Sequence, residues 1–278
     1  MKFFIKANLS RANSMSVAED VVNLLKEENH EFKFCQEDGV ERLSDKIVTL
    51  EDGAEWCDVV ITIGGDGTLL SACKVASDNN KPIFGINTGH MGFLTTIEAD
   101  EICKLKNVED KNLFTLQKHH FLQTKINNSQ WYYCINDVII SKSMYTKTVG
   151  LALSCHDKVL MEFLGDGIII ATSTGSTAYS LSAGGPIVDS DLQAMIVSPV
   201  APHTLTRTSM VMDKDKHLKI TANNINRAQA YIALDGVYHQ AISANDEIFV
   251  RLSPKYVSIY SFGKLGQFEK VDKKLKSR

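Results

Sequence analysis

Apolar and polar positions along this chain fall into two textures, and the change from one to the other divides it. Over residues 1–97, short unbroken apolar runs alternate with stretches that repeat at helical spacing. Lys2–Ala7 reads as a strand, and in 14–28 the residues Val17, Val21, Leu24 and Leu25 recur as one face of a helix. A second strand is expected at 32–35, followed by a polar stretch without a clear period. Residues 58–63 are then almost wholly apolar or β-branched, the mark of a buried parallel strand, and a glycine-rich turn opens into a helix near Thr68. Lys81-Pro82 ends that helix, and 83–87 reads as another buried strand. Strands alternating with helices imply a parallel, doubly wound sheet.

A short helix is expected over Ala99–Asn107, after which the pattern shortens. Runs at 121–126, 131–141, 148–155, 158–164, 167–172, 218–222, 229–234 and 247–252 are divided by polar turns, which predicts a mostly antiparallel β domain. From Lys264, the residues Leu265, Phe268, Val271 and Leu275 return to roughly helical spacing. Lysines fill the intervals, as on the solvated face of an amphipathic helix. The expected architecture is an α/β chain. A Rossmann-like parallel-sheet domain over 1–98 is joined to a β-rich domain over 99–253, with a helical tail, 254–278, packing back on the first.

Composition narrows the classes of function. A chain of 278 residues, 44% hydrophobic and 23% charged, buries a sizeable core. A net charge of −3 gives no general attraction to nucleic acid or an anionic membrane, so phosphate binding has to be local. No apolar run reaches the roughly 18 to 20 residues that span a bilayer. The opening Met1-Lys2-Phe3-Phe4-Ile5-Lys6 lacks the form of a secretory signal, so a cytosolic protein beginning here is expected. Six cysteines at wide intervals, with no metal-ligand spacing, read as reduced and mostly buried.

The chemistry concentrates at Gly64-Gly65-Asp66-Gly67-Thr68. Ligands of open α/β sheets bind at the carboxyl ends of the strands, and glycines there let backbone N–H groups approach phosphate. Asp66 is the informative member. A carboxylate repels phosphate unless it serves as a base or helps hold a metal ion, although a turn residue would also account for it. The loop of residues 88–94, with Phe93, leaves the same edge because parallel strands share their carboxyl ends. Asn136-Asp137 places two polar residues in a strand-like run, so either a turn intrudes or their side chains meet a polar ligand.

The word GGDGT resembles the signature of the kinase superfamily that includes NAD kinases, diacylglycerol and sphingosine kinases and, more distantly, phosphofructokinases. Three further segments are similar to NAD kinases: residues 87–94, Asn136-Asp137, and Gly165-Asp166-Gly167 running on through residues 174–186. The resemblance covers about residue 58 to the end. It implies transfer of a phosphoryl group from ATP, or from inorganic polyphosphate, to the 2′-hydroxyl of the adenosine ribose of NAD, making NADP with Mg²⁺ present. It implies Asp66 as base, Gly65, Gly67 and Thr68 around phosphate, and Phe93 on the ligand wall. Asn136 and Asp137 would lie at the ribose, and Thr177, Ala178, Tyr179 and Ser182 along the adenosine. Lys147 would stand near the substrate phosphates. Asp166 would reach the nicotinamide half of NAD bound to a neighbouring subunit of a homodimer or homotetramer.

Four positions depart from the family pattern. Asp137 replaces the usual Glu, Ser173 a common Pro, Leu164 an Arg of some members, and Val237 a frequent Gln. Two other classes of function stay open on the sequence: a lipid kinase of the same superfamily, and a dinucleotide sensor without catalysis.

Overall fold

The computed structural model describes residues 1–263 and Val271, without 12, 38, 90–91, 144–146, 205–207 and 224–229 and without the side chains of 223, 238 and 239. The chain separates into unit 1, Met1–His119 with Tyr256–Arg278, and unit 2, His120–Lys255.

Unit 1 runs β1 (Lys2–Ala7), α1 (Ser14–Glu27), β2 (Glu31–Cys35), β3 (Ile47–Val48), α2 (Leu50–Trp56), β4 (Val59–Gly64), α3 (Asp66–Asp78), β5 (Ile83–Asn87) and β6 (Ile97–Glu98). A 3-10 helix, Ala99–Asn107, follows. The strands pair in parallel in the order β3-β2-β1-β4-β5, and β6 pairs with the end of β5. Successive side chains of a strand point to opposite faces. Phe3 and Ile5 therefore pack with Val21 and Leu25 of α1, while the ring of Phe4 lies where a Cβ on Gly53 of α2 would stand. Every residue of β4 is buried, because β1 and β5 flank it and helices cover the sheet.

Strand β7 (Phe114–Ile126) begins in unit 1 and ends in unit 2, which continues with β8 (Tyr132–Cys134), β9 (Asp137–Lys142), β10 (Val149–Cys155), β11 (Lys158–Gly165) and β12 (Gly167–Thr172). A 3-10 turn, Thr174–Thr177, leads into the one-turn helix α4 (Tyr179–Ser182). Then come β13 (Ala194–Val200), β14 (Met210–Asp213), β15 (His217–Asn223), β16 (Ala230–Leu234), β17 (Tyr238–Ile242) and β18 (Glu247–Phe262). One antiparallel sheet has the order β14-β13-β12-β9-β16-β17, and β11, β10, β15 and the first part of β18 pair antiparallel in another. Val138, Ile140, Ile168 and Ile170 share a core with Leu151, Leu153, Ile220 and Ile248. Ile169 and Ala171 pack on the reverse face with Val188 and Ile196. Burial on both faces explains why 168–171 is apolar without alternation.

The parallel sheet and the antiparallel β half match the expected fold. The first expected boundary stood at 98/99, but the 3-10 helix and the start of β7 belong with unit 1: Ile102, Leu105 and Phe114 are in the same core as Phe84. The helical tail is a correction. Its expected residues lie outside those described apart from Val271, and the last strand before them, β18, runs on to Phe262, so a helical tail from 254 is not supported.

Candidate active site

Asp66 begins α3 directly beyond β4, with Gly65 as the N-cap residue. Both carboxylate oxygens are held. Oδ2 accepts the N–H of Phe93 at 2.8 Å and Oδ1 that of Leu94 at 3.0 Å. The side chain is thereby fixed in place, and each oxygen keeps a further lone pair. The glycines around it have separate reasons. A Cβ on Gly64 would run into the side chain of Thr68, and one on Gly65 would stand 2.8 Å from the Arg11 guanidinium; beside Gly67 nothing lies within 4 Å. Gly67 is the open side of the turn. Thr68 is buried, and its N–H donates to the Gly65 carbonyl.

The turn beyond β5 is organised by Asn87, which is 2% exposed. Its Oδ1 accepts the N–H of Gly89 at 3.1 Å, and its Nδ2 donates to Glu98 at 2.7 Å. The Thr88 N–H donates to the Gly64 carbonyl at 2.9 Å, joining this turn to the glycine turn. His90 and Met91 of the expected loop lie outside the described residues. Unit 1 thus brings together Gly65, Asp66, Gly67, Thr68 and half-buried Phe93.

In unit 2 a break between β8 and β9 falls on Ile135 and Asn136, so a turn does intrude where two polar residues interrupt the strand. Asp235 explains how the break is held. Its carboxylate accepts the N–H groups of Ile135, Asn136 and Asp137 at 2.8, 2.7 and 3.1 Å. Asp235 itself takes a positive φ of 48° in the turn after β16. Asp137 is 4% exposed. Burial first, and the neighbouring charge of Asp235 second, push its carboxyl up to about 7. Asp235 is raised by burial and opposed by its three N–H donors.

The turn after β12 packs on the same break. Thr172 donates its N–H to the Asn136 carbonyl at 2.9 Å and its hydroxyl to the Ile135 carbonyl at 2.5 Å. Gly175 lies so close to the Asn136 carbonyl that no side chain fits between them. Along the turn, Ser176 and Ser180 are fully buried, bonded to the backbone of Val188 and to Ser198. Thr177 is 8% exposed, Ala178 half-buried, and Tyr179 and Ser182 exposed. Tyr179 is therefore no core residue. Its side chain is 45% exposed.

Asp166 is not brought to that cluster. Asp137 pairs with Ala171 near one end of β12, while Asp166 precedes its other end, roughly 17 Å away at about 3.3 Å per residue. There Asp166 forms an ion pair with Lys142 at 2.6 Å. Lys147 is exposed and adjoins the undescribed 144–146. The departures also find their places. Leu164 and Val237 are exposed. Ser173 has φ −57°, a value proline would take, and its hydroxyl donates to the Leu192 carbonyl, a restraint of a different kind.

Sequence reasoning missed Arg11, Asn87, Lys142 and the clamping role of Asp235. Of these, Asn87 stood in one of the segments that carry the family resemblance, 87–94.

The family model described as the ATP-NAD kinase N-terminal domain matches residues 4–108, and the ATP-NAD kinase C-terminal domain matches 135–262. The NAD kinase of Caldicellulosiruptor saccharolyticus is 31% identical over 271 residues, covering 97% of each chain. That of Methanopyrus kandleri is 34% identical over 238 residues, covering 81% of this chain and 86% of its own. Among solved structures, the yeast NADH kinase complexed with NADH superposes with a TM-score of 0.87 at 20% identity, over 99% of this chain and 87% of that one. An NAD kinase from Archaeoglobus fulgidus in complex with ATP gives 0.75 at 23%, covering both chains fully. These two show the fold. Family matches over both halves, with relatives alike from end to end, place the chain in the NAD kinase family.

Proposed function

We propose that this NAD kinase family member transfers the terminal phosphoryl group of ATP to the 2′-hydroxyl of the adenosine ribose of NAD, producing NADP. The observation that carries this reading is Asp66: a carboxylate fixed through both oxygens at the carboxyl end of a fully buried parallel strand, beside a glycine open to solvent. An alcohol attacks phosphorus poorly at neutral pH, and a fixed carboxylate that accepts its proton as the new O–P bond forms meets that need. The bond from the γ-phosphorus to the β–γ bridging oxygen breaks, and ADP leaves.

Gly65, Gly67 and Thr68 hold phosphate oxygens in this scheme, with Phe93 on the wall beside them. Asn136 and Asp137 take the ribose, and Thr177, Ala178, Tyr179 and Ser182 line the adenosine. Positioning supplies much of the acceleration, because a loose phosphoryl transition state leaves little covalent work to the protein. Lys147 remains a proposed phosphate contact. Asp166, distant from the Asn136 cluster along its own strand, suits a role toward the NAD of another copy in a homodimer or homotetramer. Mg²⁺ is assigned as the donor's counter-ion. Six cysteines carried as thiols, five of them buried, support a reducing, cytosolic location.

Family membership sets the lipid-kinase reading aside. Incubation of the purified chain with NAD, Mg²⁺ and ATP, or polyphosphate in a parallel arm, followed by a specific assay for NADP, tests the activity. ATP-dependent NADP is the expected product; NAD binding without any NADP would favour the sensor.

A further inference from the structure

We propose that Arg11, in the loop between β1 and α1, is a phosphate-binding residue for the phosphoryl donor. Its guanidinium Nη1 lies 2.8 Å from the place a Cβ on Gly65 would occupy and 2.6 Å from that on Gly89. One cation is thus laid against both glycine turns that end β4 and β5. The loop bearing it is anchored to those same two strands' ends. The N–H of Asn8 donates to the Ile63 carbonyl at 2.9 Å, and the Ser14 hydroxyl shares a 2.8 Å hydrogen bond with that of Thr88.

Arg11 is exposed, and none of the ion pairs among the described residues includes it. A guanidinium paired with no described carboxylate, beside the residue that precedes Asp66, answers an electrostatic problem. A triphosphate brought next to the Asp66 carboxylate meets like charge, and a planar cation with five donors offsets it while gripping phosphate oxygens in a fork. The two glycines are then explained by the arginine as well as by the ligand. A methyl group on either would push the guanidinium aside.

The inference rests on the proposed kinase reaction and is tested in the 278-residue chain by varying ATP and NAD separately. Arg11→Ala is expected to lower kcat/KM for ATP by roughly 10- to 100-fold, the range for a charge-assisted hydrogen bond, and to leave KM for NAD within about threefold. Arg11→Lys should recover part of the loss, since it restores charge without the fork. Gly89→Ala, at a glycine not among those with positive φ, should fold normally and lower kcat/KM for ATP in the same direction. Combined with Arg11→Ala, it should add nothing, because the group it displaces is already gone. An unchanged kcat/KM for ATP in Arg11→Ala overturns the proposal. So does a loss that falls on NAD instead, or a Gly89→Ala effect that adds fully to that of Arg11→Ala. Wild-type protein that makes NADP from polyphosphate but not from ATP overturns the ATP assignment of Arg11, and NADP from neither donor refutes the kinase reading itself.

Discussion

Asp137 is buried beside half-buried Asp235, and three backbone N–H donors on Asp235 favour its ionised form. The proton therefore goes to Asp137, whose carboxyl titrates near 7 where 3.8 is ordinary. Between those two values the folded chain holds a proton that the unfolded chain has lost, so this group's contribution to stability declines as pH rises from about 4 to about 7. At about 1.4 kcal/mol per pH unit the decline is bounded near 4 kcal/mol. Asp137→Asn removes the titration. Its melting temperature should gain on wild type as pH rises from 5 to 7 and keep a constant lead above, whereas a pH-independent difference would contradict the shift. At this scale the position of Asp66 was legible, because a buried strand running into GGDGT puts the carboxylate in the turn at the strand's carboxyl end. The clamp by Asp235 was not. Its three partners lie 98 to 100 residues earlier in the chain, and no local pattern records such a bond.

Elements of unit 2 meet where β12 ends, and the fit is set by one absent side chain. Gly175 rests on the Asn136 carbonyl, so Gly175→Ala has to lift the turn of residues 172–178 from the β8–β9 break. A cost of about 1–3 kcal/mol is expected from overpacking, with a raised KM for NAD because Asn136 and Tyr179 lose their common support. Unchanged thermal unfolding together with unchanged KM would contradict that packing. Strands β1, β4, β5 and β12 were readable because burial on both faces leaves unbroken apolar runs. Strand β13 escaped notice: Ser198 and Pro199 interrupt its apolar run, although it pairs with β12 on one side and β14 on the other. Helix α2 escaped too. It has only 7 residues and buries Gly53 and Ala54, so it shows no apolar stripe.

Across the whole molecule, the cysteines act as small apolar fillers. Five are buried and Cys103 is exposed; burial pushes the thiols of Cys35 and Cys134 up and that of Cys57 to about 11. A thiol reagent should modify one cysteine rapidly in the native chain and all six after denaturation, and a second fast thiol would contradict the burial. The division into an α/β half and an antiparallel half was visible as a change of texture. The boundaries were displaced, because β7 and β18 are each continuous through a division that hydrophobic periodicity does not mark. The central claim of the account concerns the reaction at Asp66. Asn at this position keeps one acceptor oxygen and turns an NH₂ group toward an N–H, which disturbs the loop at 93–94, so binding and turnover have to be read together. The direct measurement is NADP formation from ATP and NAD by wild type and Asp66→Asn, with NAD affinity determined on both. Turnover lower by roughly 10²-fold or more, with NAD affinity held within a few-fold, is the predicted result; near-wild-type turnover in the variant would contradict it.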